Sequence, residues 1–457
     1  MKSIGAIADK KDTKIYVVGG YVRNLLLNND SSDIDIMVLG DAVNFAELVS
    51  GELGTELSAV YKNFGTALLN HDNYKIEFAS ARKESYNRDS RKPDVEFSGM
   101  DDDLARRDFT INAMAVSLNK DTHDELIDFY NGIEDLKNKI IRTPLDPEKT
   151  FDDDPLRIMR AIRFASVLGF TIEQYTYEAI IKMRDRLSED KVVSQERITD
   201  EFLKILASPK PSVGLDLLYK SGVMEIIFPE IANLAGVEQR KDYHHKDVFY
   251  HTLKVVDNIS TKTDNVWLRF AALVHDIAKP PTKKFIEGTG WTFHGHEELG
   301  ARMMKKIFKR MRLPMSRLPY IEKLIRMHLR PIPLAKDEVT DSAVRRLAAD
   351  AGEELEDLLT LCRADITSKD DSKVKRFMNN YAIVEDKIRE VQEKDRLRNF
   401  QSPVRGEEIM VICGLKPSRK VGIIKKKIED AILDGEIPNE YEAAKEYLYR
   451  IKDEVLK

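Results

Sequence analysis

Val17-Val18-Gly19-Gly20-Tyr21-Val22-Arg23, followed closely by Asp33-Ile34-Asp35, is the stretch on which the reading of this chain turns. It reads as a strand, a Gly-Gly turn, a short helix (Val22 to Leu27) and a second strand (Ile34 to Leu39). Side chains on a strand alternate between faces, so Asp33 and Asp35 share one face. Two carboxylates held side by side repel each other unless a cation lies between them. A hard divalent ion such as Mg2+ takes oxygen ligands and leaves coordination positions for phosphate. The Gly19-Gly20 turn exposes backbone N–H groups at a helix start, where phosphate is favoured. The plain alternative is a surface strand with solvated acids. The glycines and Arg23 just upstream favour a nucleotide-handling metal site instead.

Around that stretch, residues 13 to 145 alternate strand-like and helix-like patterns. Lys75-Ile76-Glu77-Phe78-Ala79 reads as a further short strand, with Glu77 beside the Asp pair. Residues 82 to 100 are polar and rich in turn formers and read as a mobile loop. From about 146 onward the periodicity is almost wholly helical, as in Leu156 to Leu168, Arg197 to Leu206 and Val248 to Ile259. The 457 residues suffice for three or four domains, and 42% hydrophobic with 33% charged residues suits soluble globular ones. The formal net charge of -5 excludes a uniformly basic nucleic-acid binder, so a polyanion would need local basic patches. Two distant cysteines, Cys362 and Cys413, argue against a disulfide framework or zinc ribbon. No apolar run of membrane length and no signal-like N-terminus is seen, so a cytoplasmic setting without a membrane partner is expected.

Three further segments carry a family resemblance. They are Arg106-Arg107-Asp108-Phe109-Thr110-Ile111-Asn112-Ala113-Met114-Ala115, then Asp128 to Leu136 ending at Ile141-Arg142, then Asp153-Asp154-Pro155-Leu156-Arg157-Ile158-Met159-Arg160-Ala161. With the Gly-Gly turn and the Asp pair, and with Gln195-Glu196-Arg197-Ile198-Thr199-Asp200-Glu201-Phe202 downstream, this ordered set resembles the bacterial and eukaryotic-type tRNA nucleotidyltransferases. These are the CCA-adding enzymes and their poly(A) polymerase relatives. The resemblance implies an α+β chain: a small mixed-sheet nucleotidyltransferase head (1–145), then a long all-α neck (146–235), an HD helical domain (236–395) and a helical RNA-binding tail (396–457). It implies that Asp33 and Asp35 bind the Mg2+ that drives nucleotidyl transfer from ATP and CTP, with one ion activating the attacking 3′-hydroxyl and another steadying pyrophosphate. Gly19, Gly20 and Arg23 would hold the triphosphate, Arg107 and Asp108 the triphosphate and ribose, and Arg160 would reach the triphosphate.

Asp154 and Arg157 are three apart, so on a helix they would share a face. Cytosine and adenine each show an amino donor beside a ring-nitrogen acceptor, whereas guanine and uracil reverse that pattern. An acceptor Asp and a donor Arg therefore select C and A without a nucleic-acid template, as the family is understood to do. The plain alternative is an intrahelical ion pair. Two departures stand out: Asn24 where the family usually has Asp, and Asp153 where it usually has Glu. The 82–100 loop also lacks the family's Pro-Gly-rich pattern, and that loop helps relatives switch from C to A.

Downstream, five of the nine histidines fall between 251 and 328. His251, the doublet His275-Asp276, His296, His328 and Asp365 resemble the HD phosphohydrolase superfamily. The resemblance implies that His251, His275, Asp276 and Asp365 hold a first metal, with His296 and His328 available to a second. Imidazole plus carboxylate does not select among Mn, Fe, Ni, Zn and Mg. A divalent ion there would activate water for hydrolysis of phosphoesters, 2′,3′-cyclic phosphates among them; the plain alternative is a scaffold domain. His244-His245 reads as loop surface. RNA contact is expected from Lys416, Arg419, Lys420 and Lys425, in a glycine-bearing tail segment, and from the cluster Lys305, Lys306, Lys309, Arg310 and Arg312, whose plain alternative is a solvated helix face. The leading reading is CCA addition to the tRNA 3′ end. Competing readings are a poly(A) polymerase or a partial CC- or A-adding enzyme, a metal phosphohydrolase with an RNA-binding head, and a non-catalytic RNA scaffold.

Overall fold

The computed structural model describes residues 1–85, 94–188, 192–237, 247–288, 290–331, 341–367, 371–399, 402–433 and 436–456. His244-His245 and the centre of the 82–100 segment lie outside them.

The chain opens as a mixed sheet. Its strands in chain order are β1 (Lys14–Val18), β2 (Asp33–Leu39), β3 (Leu57–Tyr61), β4 (Thr66–His71), β5 (Tyr74–Ser80), β6 (Arg82–Ser85), β7 (Asp94–Phe97), β8 (Ala115–Ser117) and β9 (Leu126–Ile127). Seven of these make one sheet in the order β3-β4-β5-β2-β1-β8-β9, in which β2 and β5 run parallel and the other pairs antiparallel. Alternation sorts the central strands. Ile15, Val17, Ile34, Ile36, Ile76 and Phe78 are buried, and Phe78 meets Phe45 of the helix Ala42–Leu53 edge-on at 5.9 Å between ring centroids. Asp33, Asp35, Lys75 and Glu77 fall on the other face, with Asp33 paired to Lys75 and Asp35 to Glu77 across the β2–β5 ladder. Asp41 starts the covering helix by accepting the N–H groups of Val43 and Asn44 at 3.0 and 3.1 Å.

The 82–100 reading needs correcting at both ends of the segment. Residues 82–85 and 94–97 pair as an antiparallel ladder, Arg82 opposite Phe97 and Ser85 opposite Asp94. A polar composition does not dictate irregular backbone, because the ladder's hydrogen bonds run between main-chain groups.

Among the described residues, the chain after the head is helical but for two short strand pairs. Helix Leu156–Leu168 sits where the periodicity put it, packed on helices Gln195–Leu206 and Pro211–Lys220. Phe164 of that helix meets Phe109 of the head edge-on at 5.8 Å. Helices Val248–Ser260, Val266–Val274, His296–Arg310, Leu318–Met327 and Leu355–Asp365 follow, with Phe228, Phe270 and Phe308 fully buried among them. The Thr199 hydroxyl donates to the Met311 carbonyl at 2.6 Å and Ser212 to Asp257 at 2.6 Å, so neck and histidine-bearing helices form one compact unit with the head. A second unit holds helices Gly406–Cys413, Arg419–Leu433 and Tyr441–Leu456 around Val404, Ile409, Ile424, Ile428, Ala444 and Leu448. Both cysteines are free, and no described helix is long and apolar enough to cross a membrane.

Candidate active site and metal centre

The head site is built at the strand ends around β1 and β2. Helix Gly20–Leu26 starts directly from the glycine turn, two residues earlier than Val22. Gly19 has φ +73°, and a Cβ there would lie 2.8 Å from Arg107 Nη1 and 3.3 Å from Asp35 Oδ2. Only a glycine lets the backbone pass this close to both groups. The walls of the cleft strip water from Asp35 and raise its carboxyl above the usual range; Arg107 opposes this and Asp33 adds to it. Glu77 is raised for the same reasons, desolvation first and then the charge of Asp35. Asp35 and Glu77, whose negative charge is held at a cost, and Asp33 on the same face supply oxygen donors of the kind a hard divalent cation takes, so the residue types present suit the metal chemistry of the resemblance.

Arg107 is aimed by Asp103, a fully buried carboxylate that accepts Arg107 Nη2 at 3.0 Å and Arg106 Nη2 at 2.6 Å. Burial pushes the Asp103 carboxyl up, but the two guanidinium groups outweigh it and hold it below the ordinary range. Arg23, Asp108 and Arg160 each have partners within the protein. Arg23 is buried, donates to Asn112 Oδ1 at 2.6 Å and to Asn24 Oδ1 at 2.9 Å, and lies 5.0 Å from the Phe164 ring centroid. Asp108 spends one oxygen on the Phe109 N–H and Asn112, both at 2.9 Å, and the other on Arg160 at 2.6 and 2.8 Å. A buried guanidinium or carboxylate must be satisfied where it stands; these three therefore brace the floor beneath the site. Burial and the neighbouring Arg163 and Arg160 depress Arg23 to about 10 against the pull of Asp108, which leaves it charged at neutral pH.

The shared helix face of Asp154 and Arg157 also needs correcting. Helix Pro147–Asp153 ends before Asp154, whose backbone is extended, and Pro155 precedes the next helix. Asp154 caps that helix through the Leu156 N–H at 3.1 Å and pairs with Arg197 Nη2 at 3.0 Å. Arg157 donates to two backbone carbonyls, Arg106 at 2.7 Å and Thr150 at 3.4 Å. The two thus take different partners, with Arg157 tied to the segment that carries Arg107. Arg197 was visible only as part of a helical signature and Asp103 not at all. The single available hint was that Asp103 precedes Arg106 and Arg107 at helical spacing.

The second constellation converges fully. His251 Nε2 lies 2.9 Å from Asp365 Oδ1 and 3.7 Å from Asp276 Oδ2; His275 Nε2 lies 3.1 Å from Asp276 and 3.4 Å from Asp365. His296 Nε2 and His328 Nε2 are 3.4 Å apart and 3.3 and 4.0 Å from Asp276 Oδ1. The doublet works because helix Val266–Val274 ends just before His275, which frees Asp276 from helical geometry. Each ring is oriented through Nδ1: His275 on the Ala272 carbonyl at 2.7 Å, His296 on Phe293 at 2.7 Å, His328 on Ile325 at 2.6 Å and His251 on the Thr367 hydroxyl at 2.8 Å. An Nδ1–H donated to a carbonyl leaves Nε2 as a lone pair facing inward, the arrangement of ligating imidazoles. His275 Nε2 is buried and makes no well-formed hydrogen bond among the described residues. Burial disfavours charge on His275, yet Asp276 and Asp365 raise it to about 10. Desolvation, then the His275 charge, pushes His328 down to about 4. The carboxylates thus demand positive charge at the centre of four imidazoles, and this donor set fits a divalent ion, one or two, of borderline softness.

In the tail unit Lys416, Arg419 and Lys420 are exposed, and half-buried Lys425 lies 3.8 Å from Glu429. Lys425, Arg405, Ser418 and Gly406 line a groove of about 640 Å³. In the other basic cluster Arg310 pairs with Glu230 at 2.5 Å and Arg312 lies 3.7 Å from Glu196, leaving Lys305, Lys306 and Lys309 on the exposed face.

The head and the second centre define a nucleotidyl-transfer fold joined to an HD pocket, and comparison with known proteins agrees. Residues 15–142 match the poly A polymerase head domain, 169–234 the probable RNA and SrmB-binding site of polymerase A, and 248–370 the HD domain. The chain is 31% identical over 352 residues to an A-adding tRNA nucleotidyltransferase of Deinococcus radiodurans, covering 75% of this chain and 78% of the relative. It is 37% identical over 314 residues to a multifunctional CCA protein of Shewanella frigidimarina, covering 66% and 70%. Among solved structures, a tRNA nucleotidyltransferase complexed with a primer tRNA and an incoming ATP analogue superposes with a TM-score of 0.61 at 25% identity, over 85% of this chain and 99% of that one. The chain belongs to the tRNA nucleotidyltransferase family.

Proposed function

We propose that this protein builds CCA on the 3′ end of tRNA from CTP and ATP, in a cytoplasmic setting, with Mg2+ at Asp33 and Asp35 and no nucleic-acid template. The observation that carries the reading is the linkage of three functions in one cleft. Gly19 lies close to both the Asp35 carboxylate and Arg107, and the segment holding Arg107 receives Arg157 through the Arg106 carbonyl. Asp33, Asp35 and Glu77 hold the ions, which when bound lower the pKa of the attacking hydroxyl and neutralise the leaving phosphates. Arg107 and the Gly19-Gly20 N–H groups orient the triphosphate. Asp154 accepts from the base amino group and Arg157 donates to the ring nitrogen, while Arg23, Asp108 and Arg160 fix the surrounding frame. The HD pocket holds a second divalent metal through His251, His275, Asp276 and Asp365, with His296 and His328 beside it, and serves phosphoester hydrolysis. Lys416, Arg419, Lys420 and Lys425 contact RNA phosphates.

The test uses tRNA transcripts lacking CCA and transcripts ending in CC, each with one labelled nucleoside triphosphate. CTP is expected on the first and ATP on the second, with UTP and GTP at background. The similarity to an A-adding enzyme favours one other reading, addition of the final A alone. ATP incorporation on CC-ended tRNA with no CTP incorporation on the shorter transcript would select it.

A further inference from the structure

The chain between Asp276 and His296 leaves the pocket as a hairpin of the strands Lys284–Ile286 and Gly290–Thr292, with Phe285 directly opposite Trp291. Residues opposite each other project to the same side, and the two rings meet edge-on at 5.3 Å. Neither is covered: Phe285 is 57% and Trp291 37% exposed. Lys283 Nζ lies 4.5 Å from the Trp291 ring centroid, and Lys284 is exposed. From Lys279 to Phe293 the chain carries three lysines and a single carboxylate, Glu287. The base of the hairpin is part of the pocket wall. The Phe293 carbonyl accepts from His296 Nδ1 at 2.7 Å, and Lys279 sits 2.6 Å from Asp276 and 5.6 Å from the Phe293 ring.

We infer that this hairpin is the base-stacking platform of the HD centre, taking the terminal base of a single-stranded RNA end whose phosphate lies at the histidine–aspartate pocket. Exposed aromatic faces flanked by cations are how proteins hold single-stranded nucleic acid without reading its sequence. The substrate chemistry fits as well, since a terminal phosphoester brings its base to the rim of the pocket that holds the phosphate. Self-association fits less well, because two rings and Ile286 offer far less than the ~1,000 Å² that a stable interface buries. The inference rests on the reading of the pocket as a metal site.

The chain has two tryptophans. Trp267 is half-buried against Phe270 and Phe308, at 6.2 and 6.4 Å, so the part of the fluorescence quench that is lost in Trp291→Phe reports on Trp291. Full-length protein, with its metal content measured, is titrated with an unstructured RNA tetranucleotide ending in a 3′-phosphate, and in parallel with inorganic phosphate. The tetranucleotide should quench and phosphate alone should not. Phe285→Ala should weaken the titration roughly fivefold or more, and Trp291→Phe should abolish the quench. Bound metal with no quench would overturn the platform and spare the metal reading. A quench with no bound metal would remove the metal reading and overturn the assignment of the stacking surface to a metal centre. A dimer in sedimentation that Phe285→Ala dissolves would assign the hairpin to self-association and overturn the inference.

Discussion

At the scale of single residues, roles follow from which atoms are already engaged. Asp35 is raised by the cleft and by Asp33, and Arg107 is the charge that most opposes the rise. Asp35→Ala should abolish nucleotide incorporation while leaving tRNA binding in gel shifts within about twofold; substantial residual activity would refute the metal assignment. Asp154 takes its place from Arg197, at 3.0 Å. Removing a charged hydrogen bond of this kind costs about 1.5–3 kcal/mol. Arg197→Ala is therefore expected to lower discrimination of ATP and CTP against GTP and UTP by roughly tenfold, measured as ratios of kcat/KM. Unchanged ratios would mean that Asp154 keeps its position without that partner. The sequence presented Asp154 and Arg157 as helix neighbours because their spacing allowed it. Pro155 breaks that geometry, and the partner that matters comes from a helix some forty residues away.

At the scale of elements, the turn into helix Gly20–Leu26 and the segment Asp103 to Asn112 frame the cleft. Gly19→Ala places a Cβ against Arg107 and forces a non-glycine residue to φ +73°. A loss of about 1–2 kcal/mol in stability is expected, with a larger fractional loss of nucleotide transfer; wild-type values in both denaturant melts and incorporation would argue against the close approach. Asp103 and Asp108 sit below their ordinary range because, after the opposing effect of burial, Arg106 and Arg107 hold the first and Arg160 holds the second. A carboxyl depressed in the folded state binds fewer protons than in the unfolded chain. Its stabilisation is present above the unfolded value near ~4 and is lost as pH falls through the folded values. Denaturant melts of the wild type should weaken steadily below about pH 4. Asp103→Asn, less stable at neutral pH, should show a shallower decline; parallel curves would show that this cluster does not govern the acid limb.

At the scale of the whole molecule, two centres of different chemistry occupy one compact unit. His275→Ala should leave nucleotide addition near wild type and remove divalent-metal retention. A metal held at ~100 times its dissociation constant contributes about 2.7 kcal/mol to stability, so a chelator should lower the wild-type melting temperature by several degrees and that of His275→Ala by much less. Equal shifts would move the stabilising metal away from this pocket. The sequence alone was enough to determine the strand–turn–strand frame, the run of Leu156–Leu168, the change from mixed to helical structure near residue 146 and which six side chains meet at the HD pocket. Those features depend on local alternation, helical period and residue chemistry, which neighbours in the chain already carry. Only the tertiary structure decided that Arg23 meets Asn112, that Asp108 meets Arg160 and that Asp154 pairs with Arg197. It also decided that four imidazoles turn their Nε2 atoms toward two shared carboxylates. The physical reason is that a buried charge or hydrogen-bonding group takes whichever partner the packing brings within about 3 Å, and that partner is set by how helices cross, not by spacing along the chain.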